Sequence, residues 1–234
     1  MKSLVCIAIA AAALAICCCH DPQVGIPSQN EPVDVVTKLQ ESSLRVDVKR
    51  YLGDGSLYRQ GNGSCGIFSE KAGRSYCLTA KHVTTWASGT TKVFVEDVEA
   101  RIEVQSDDYD ASVISFPVNG SKTLTFDFST PYSGQRVYSA GYHGRSFVLS
   151  HGFVFGEPRP SGEYLFSGQV YPGQSGSPVL NSRGRLVGVL VKTGICRIGG
   201  GRDSCAGIFV GANKIRPMVG PYLKEGVDED VCFW

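Results

Sequence analysis

Between residues 46 and 212 the sequence is cut into short β-type runs, and only 213–223 carries helical spacing, which Pro217 and Pro221 weaken. The runs fall at 64–68, 75–79, 92–95, 98–104, 112–116, 136–140, 146–150, 153–155, 164–166, 177–180, 186–191 and 208–210. In 98–104, Val98, Ala100, Ile102 and Val104 share one face, while Glu99, Arg101 and Glu103 share the other. Many short strands with turn signals between them predict an all-β chain, folded as barrels rather than as one open sheet. The 28 glycines supply the turns, and a hydrophobic fraction of 42% supplies a core, so disorder is excluded. With 234 residues there is room for one domain or for two small barrels sharing a cleft. A formal net charge of +1 gives no electrostatic case for nucleic acid.

The chain starts with Met1-Lys-Ser, followed by an uncharged apolar stretch from Leu4 to Cys19. That stretch is short for a membrane span, and its basic start and apolar body read as a secretory signal over 1–19. Export, to a secreted, periplasmic or surface location, is therefore expected. Leu14-Ala-Ile-Cys17 resembles a bacterial lipoprotein box, although Ile16 is bulkier than the small residue such a box places there. Membrane anchorage by lipid on Cys17, Cys18 or Cys19 is one expectation, and a soluble secreted form is the other. Residues 20–45, with Pro22, Pro27 and Pro32 among polar residues, read as a linker or pro-segment, and 226–234 as a tail.

Chemistry concentrates in three stretches. Tyr171-Pro-Gly-Gln-Ser-Gly-Ser-Pro-Val-Leu180 places Ser175 in a turn that Gly173 and Gly176 permit, just before an apolar strand. A serine hydroxyl needs a neighbouring base to become a nucleophile, and backbone N–H groups to hold the oxyanion it generates. Leu78-Thr-Ala-Lys-His82 runs a strand end into a histidine, and Asp107-Asp-Tyr-Asp110 leads into the run 112–116. Alternatives exist for each: Asp108 for the acid, Ser177 for the hydroxyl, and a plain hairpin loop for the glycine-rich turn. His20, His143 and His151 read as processed, surface or structural residues.

Taken together, T-A-x-H, D-x-x-apolar-apolar and G-x-S-G-S-P, in that chain order, resemble the chymotrypsin-like (trypsin-like) serine peptidase family. Gly134-Gln-Arg-Val-Tyr-Ser-Ala-Gly-Tyr142 resembles the strand that opens the family's second barrel. The motif style is nearest the HtrA-like, glutamyl-endopeptidase and viral branches. The resemblance implies two six-stranded antiparallel β-barrels, about 46–125 and 130–212, and a short C-terminal helix over 213–223, within a peptidase domain of 46–225. It implies His82 as general base, Asp110 as its orienting acid, Ser175 as nucleophile, and the Gly173 and Ser175 N–H groups as oxyanion hole. It also places Gln169 at the base of the specificity pocket, with Lys192, Thr193 and Gly207 along its walls.

Three departures matter. Gln174 stands where trypsins carry an aspartate, so activation by a new N-terminal ammonium is not expected. Val191 stands where many members place a serine that supports the acid. No acid lines the implied pocket, which predicts a small, apolar or uncharged polar residue before the scissile bond. A segment of PDZ size after residue 225 is absent, which sets the expectation apart from HtrA-type multidomain enzymes.

Cys65 and Cys77 lie on two arms of one hairpin, and Cys196 and Cys205 bracket the glycine-rich stretch 197–204. Disulfides Cys65–Cys77 and Cys196–Cys205 are predicted, in keeping with export, while Cys232 has no evident partner. No C-x-x-C or paired histidine accompanies them, so no metal and no cofactor is expected. The reading is a serine endopeptidase acting on proteins or peptides. A catalytically silent barrel used for binding is the alternative, and an esterase is disfavoured because no strand–elbow–helix follows Ser175.

Overall fold

The computed structural model describes residues 31–85, 90–156, 159–196 and 203–224, with the side chains of 31–33, 194–196 and 203–205 left aside. Twelve strands form two closed six-stranded barrels. The first contains β1 (Ser43–Tyr51), β2 (Leu57–Lys71), β3 (Arg74–Thr79), β4 (Thr90–Val95), β5 (Val98–Gln105) and β6 (Ser112–Pro117). The second contains β7 (Arg136–His143), β8 (Ser146–Phe155), β9 (Glu163–Phe166), β10 (Pro178–Asn181), β11 (Leu186–Cys196) and β12 (Asp203–Gly211). Every ladder is antiparallel, in the orders β1-β2-β3-β6-β5-β4 and β10-β11-β12-β9-β8-β7. Closure leaves no free sheet edge.

Local sequence explains the turns. The β4–β5 hairpin turns on Glu96 (φ 46°) and Asp97 (φ 68°), both left-handed as a two-residue type I′ turn requires. Glu96 carries an acidic side chain that accepts from the Arg45 N–H at 2.7 Å, which ties this turn to β1. The β2–β3 hairpin turns at Ala72 and Gly73, and its ladder slips between Ile67 and Ser69, which sets Cys77 opposite Ile67, two residues from Cys65. The disulfide Cys65–Cys77 therefore crosses the ladder diagonally, with Cα atoms 5.7 Å apart, and both residues are fully buried. Backbone pairing places Cys196 opposite Asp203, but the sulfurs of Cys196 and Cys205 lie outside the described residues, as do Cys17, Cys18, Cys19 and Cys232.

Side-chain alternation builds two cores. Val137, Val154, Tyr164, Phe166, Val179, Leu190 and Phe209 fill the second barrel. The larger cluster fills the first and continues through Tyr138, Ala140, Val189 and Val191 into the contact between barrels. Burial of such side chains contributes roughly 1.5–3 kcal/mol each. Pro178 of β10 lies directly against Gly66 of β2, where no Cβ would fit.

Three expectations change. Within 20–45, the stretch read as linker or pro-segment, Glu31–Ser42 forms helix α1 and Ser43 begins β1. Val35 and Leu39, one turn apart, are buried to 1% and 0% exposure, so this helix is part of the core. Pro32 sits in the first turn, where a missing N–H costs nothing. On β5, a register shift between Ile102 and Val104 breaks the strict alternation that would set all four apolar residues on one face, and Val98 and Ile102 are exposed. At the C-terminal end the helix is α3 (Ala212–Val219), and Pro221 falls in a following 3-10 turn, Gly220–Tyr222. Among the described residues no helix is long and apolar enough to cross a membrane.

Candidate active site

His82 sits on a single helical turn, α2 (Lys81–Thr84), that leaves the end of β3. Its neighbours Val83 and Thr84 are buried, so the turn is anchored while the imidazole faces outward. Two side chains tie the turn to the acidic loop: Lys81 Nζ donates to Ser106 O at 2.5 Å, and Gln105 Nε2 donates to the Thr84 and Thr85 hydroxyls at 2.9 Å. The loop is closed on itself, with Ser106 N–H donating to Ala111 O and Ala111 N–H to Tyr109 O.

That clamping brings Asp110 against His82 in a two-point contact. The His82 N–H donates to Asp110 Oδ1 at 2.9 Å, and His82 Nδ1 meets Asp110 Oδ2 at 2.7 Å. Nδ1 therefore carries the proton and Nε2 is left as the basic nitrogen. Burial pushes the Asp110 carboxyl up, but the ring and backbone hydrogen bonds from His82, its charge, and that of Lys192 outweigh it and hold the group below its usual 3.8. Asp108 is exposed and makes no hydrogen bond or ion pair among the described residues.

Ser175 comes from the second barrel, in a turn closed by Gln174 N–H to Tyr171 O (3.1 Å) and Ser177 N–H to Gln174 O (2.9 Å). Gly173 (φ 95°) and Gly176 (φ 91°) both hold the left-handed backbone that the sequence anticipates there. A Cβ on Gly173 would also press on Asn62 Nδ2, 2.7 Å away, and on the Tyr142 carbonyl, while one on Gly176 would strike Ser64 O and Thr79 Oγ1. Among the described residues neither the Gly173 nor the Ser175 N–H is used by a protein acceptor, whereas the Gly176 N–H is taken by Leu190 O at 2.7 Å. Ser177, the other candidate hydroxyl, is fully buried with its Oγ unpartnered against Gly141.

The two halves converge on Ser64 of β2. Its N–H donates to Ser175 O at 2.8 Å, its carbonyl accepts from Thr79 Oγ1 at 2.7 Å, and its Oγ donates to Gly173 O at 3.0 Å while accepting from Tyr142 N–H at 2.8 Å. Gly63 beside it lies against both Val83, the residue after His82, and Ser175 O. Histidine turn and serine turn are thus hung from one dipeptide. No motif marked Ser64, since an isolated serine in a strand carries no pattern.

Ser175 Oγ donates to Val191 O at 3.3 Å, and among the described residues no hydrogen bond joins it to His82. Val191 contributes its carbonyl to the serine and no hydroxyl to Asp110. Lys192, exposed on β11, reaches Glu163 Oε1 at 2.5 Å. Thr193 pairs with Gly207 across the β11–β12 ladder, and the Phe166 ring fills the space over Gly207 and Gly168. Gln169 is exposed, and its carbonyl accepts from Ser150 Oγ. His143 is exposed next to the serine turn, with Nδ1 bonded to Pro172 O at 2.7 Å, in keeping with a surface, hydrogen-bonded histidine. His151 is exposed on β8, its ring 6.1 Å from that of Tyr138, and His20 lies outside the described residues. Among the described residues no cluster suited to a metal ion occurs.

A search of curated proteins finds no match. A family profile described as a trypsin-like peptidase domain matches residues 63–189, more than half of the chain, and the match runs from the β2 dipeptide past His82, Asp110 and Ser175. With that match on two closed six-stranded barrels, the chain belongs to the chymotrypsin-like, trypsin-like serine peptidase family.

Proposed function

We propose that this protein is an exported serine endopeptidase that cleaves peptide bonds through His82, Asp110 and Ser175. The observation that carries the reading is the two-point contact of Asp110 with His82, made on the same β2 dipeptide that holds the carbonyl of Ser175. A carboxylate on Nδ1 leaves Nε2 free to accept a proton, which is the arrangement a general base requires.

The chemistry follows from these groups. Ser175 Oγ attacks the substrate carbonyl carbon as its proton passes to His82 Nε2. The carbonyl oxygen becomes an oxyanion held by the Gly173 and Ser175 N–H groups, which have no acceptor of their own among the described residues. His82 then returns the proton to the departing amine, and the C–N bond breaks to leave an acyl ester on Ser175. Water, deprotonated by His82 in its turn, hydrolyses the ester and restores the serine. Asp110 stays ionised throughout and stabilises the imidazolium.

A silent binding barrel is the second reading, favoured by one observation: Ser175 Oγ rests on Val191 O, not on His82. The magnitude argues against it. A hydrogen bond of 3.3 Å is long for a hydroxyl donor and contributes no more than about 1 kcal/mol, too little to lock the Ser175 side chain in this rotamer.

Gln174 keeps the serine turn assembled without an N-terminal ammonium, so the enzyme is active without cleavage-triggered ordering. Beside Gln169, Thr193 and Gly207 the charge of Lys192 is paired with Glu163, which favours a small, apolar or uncharged polar residue before the scissile bond. Export rests on the apolar stretch 4–19, outside the described residues, with lipid on Cys17, Cys18 or Cys19 as the means of anchorage. The test is covalent labelling of the full chain by a fluorophosphonate, followed by peptide hydrolysis. Labelling that disappears in Ser175→Ala and slows sharply in His82→Ala is expected. Absent labelling of a folded wild-type chain would establish the binding reading instead.

A further inference from the structure

A cleft of about 420 Å³ opens beside the serine turn, between the exposed half of β2 and the tip of the β7–β8 hairpin. Gln60, Gly61 and Asn62 form one wall, and Gly144 and Arg145 the other. It adjoins the site at two points. Asn62 Nδ2 lies over Gly173, and His143, next to Gly144 in the chain, is bonded to Pro172 O. Ser175 Oγ touches Val191 O of β11, whereas no residue of β11 is among those lining the cleft. A substrate whose acyl residues ran along β11 would send its leaving-group residues past Gly173 toward this cleft.

Its charges are unevenly committed. Arg45 is occupied by Asp47 at 2.8 Å and by Asp97 at 3.6 Å, so that both acids of the cleft are already bound to one cation. Lys49 is held over the Phe94 ring, 4.6 Å from its centroid, and makes no ion pair among the described residues. Arg145, exposed at the hairpin tip, has no ion-pair or hydrogen-bond partner among the described residues. With three cations and two acids the lining carries a net charge of +1, and Lys49 and Arg145 have no acid of their own among the described residues.

We infer that Arg145 and Lys49 select substrates with an aspartate or glutamate two or three residues beyond the scissile bond. The position follows from an extended chain advancing about 3.3 Å per residue, from Gly173 across Asn62 toward the hairpin tip. The inference rests on the peptidase reading and names its substrate class. Ion pairs at such exposure change a rate constant by about two- to fivefold each, and salt weakens them.

The test digests a peptide library with the full chain and sequences the new N-termini on the leaving-group side, for wild type, Lys49→Ala and Arg145→Glu. Acidic residues are expected to be enriched at the second and third new positions for wild type. The enrichment should shrink about two- to fivefold in Lys49→Ala and give way to Lys and Arg in Arg145→Glu. The profile on the acyl side of the bond is the internal control, and Lys49→Ala keeps the test standing if the charge reversal misfolds. Cleavage without acidic enrichment, or enrichment that survives both variants, overturns the inference and leaves the peptidase reading intact. No fluorophosphonate labelling and no cleavage by a folded chain overturns both.

Discussion

Ser64 of the first barrel donates its backbone N–H to the carbonyl of Ser175 in the second, at 2.8 Å. The same residue uses its hydroxyl twice more on the second barrel, toward Gly173 O and from Tyr142 N–H. The serine turn is thereby fixed by a strand of the opposite barrel, not only by its own. Ser64→Ala removes the hydroxyl and leaves the Tyr142 N–H and Gly173 carbonyl without partners in a fully buried place. A loss of about 1–3 kcal/mol in stability is expected, measured by urea unfolding. Because Gly173 shifts when its carbonyl is released, kcat should fall by at least tenfold in the folded variant. Unchanged kcat would show that the bond does not position the turn.

Asp110 makes acid stability diagnostic. Its folded carboxyl titrates below 3.8, because the His82 bonds and charge outweigh burial. A depressed carboxyl contributes stability that is fully present above the unfolded value and is lost as pH falls through the folded one. Wild type should therefore lose stability below about pH 4 in part through this group, and Asp110→Asn should flatten that limb, read as melting temperature across pH 2–6. The same variant presents His82 with a neutral amide that no longer fixes the tautomer, and kcat should drop by about 10⁴. A variant that kept wild-type turnover would remove Asp110 from the mechanism.

Much of the fold was legible because its signals are local. Strand runs, the glycines flanking Ser175, and the hairpin carrying Cys65 and Cys77 are each visible within a dozen residues of sequence. Helix α1 was not, since three prolines across 20–45 outweighed the single pair Val35 and Leu39, whose burial depends on a barrel surface the segment itself does not encode. The slip at Ile67 that sets Cys77 opposite it, and the register shift between Ile102 and Val104, are set by barrel closure. The same limit applies at the site. Gly173, Gly176, His82 and Asp110 announce themselves by motif, whereas Ser64, Asn62 and His143 matter only because separate strands bring them together.

The Cys65–Cys77 disulfide closes a short loop, with a sequence separation of 12. Restricting the unfolded chain over such a loop contributes about 3 kcal/mol. Cys77→Ser should lower the urea midpoint accordingly and raise the slope, because the unfolded chain is released from the loop constraint. Since Cys65 precedes Gly66, which packs on Pro178, the loosened hairpin should also slow fluorophosphonate labelling. A midpoint identical to wild type under oxidising conditions would show that the bridge constrains nothing the folded barrel does not already fix.

Gln174 offers the sharpest separation of packing from charge. Its side chain is fully buried: Oε1 accepts from Tyr171 N–H at 2.8 Å, and Nε2 donates to Val148 O at 3.1 Å and to Ser150 Oγ at 3.5 Å. Gln174→Glu keeps the shape but sets a carboxylate oxygen against the Val148 carbonyl, which cannot donate to it. Burial and that repulsion raise the folded pKa of the new carboxyl above its unfolded value near 4.3. A raised acid retains stability below the unfolded pKa and loses it as pH climbs toward the folded one, the reverse of Asp110. The variant should thus resemble wild type at about pH 4 and be weaker by about 2–4 kcal/mol at pH 7. Its Ser175 labelling should decline over the same interval, because Gln174 spans the turn between the Gly173 and Ser175 N–H groups. Chemical denaturation and labelling at both pH values, against Gln174→Met as a neutral control, decide the matter. A stability gap independent of pH would mean that the pocket admits water to the carboxylate, and that the turn is held by its backbone bonds alone.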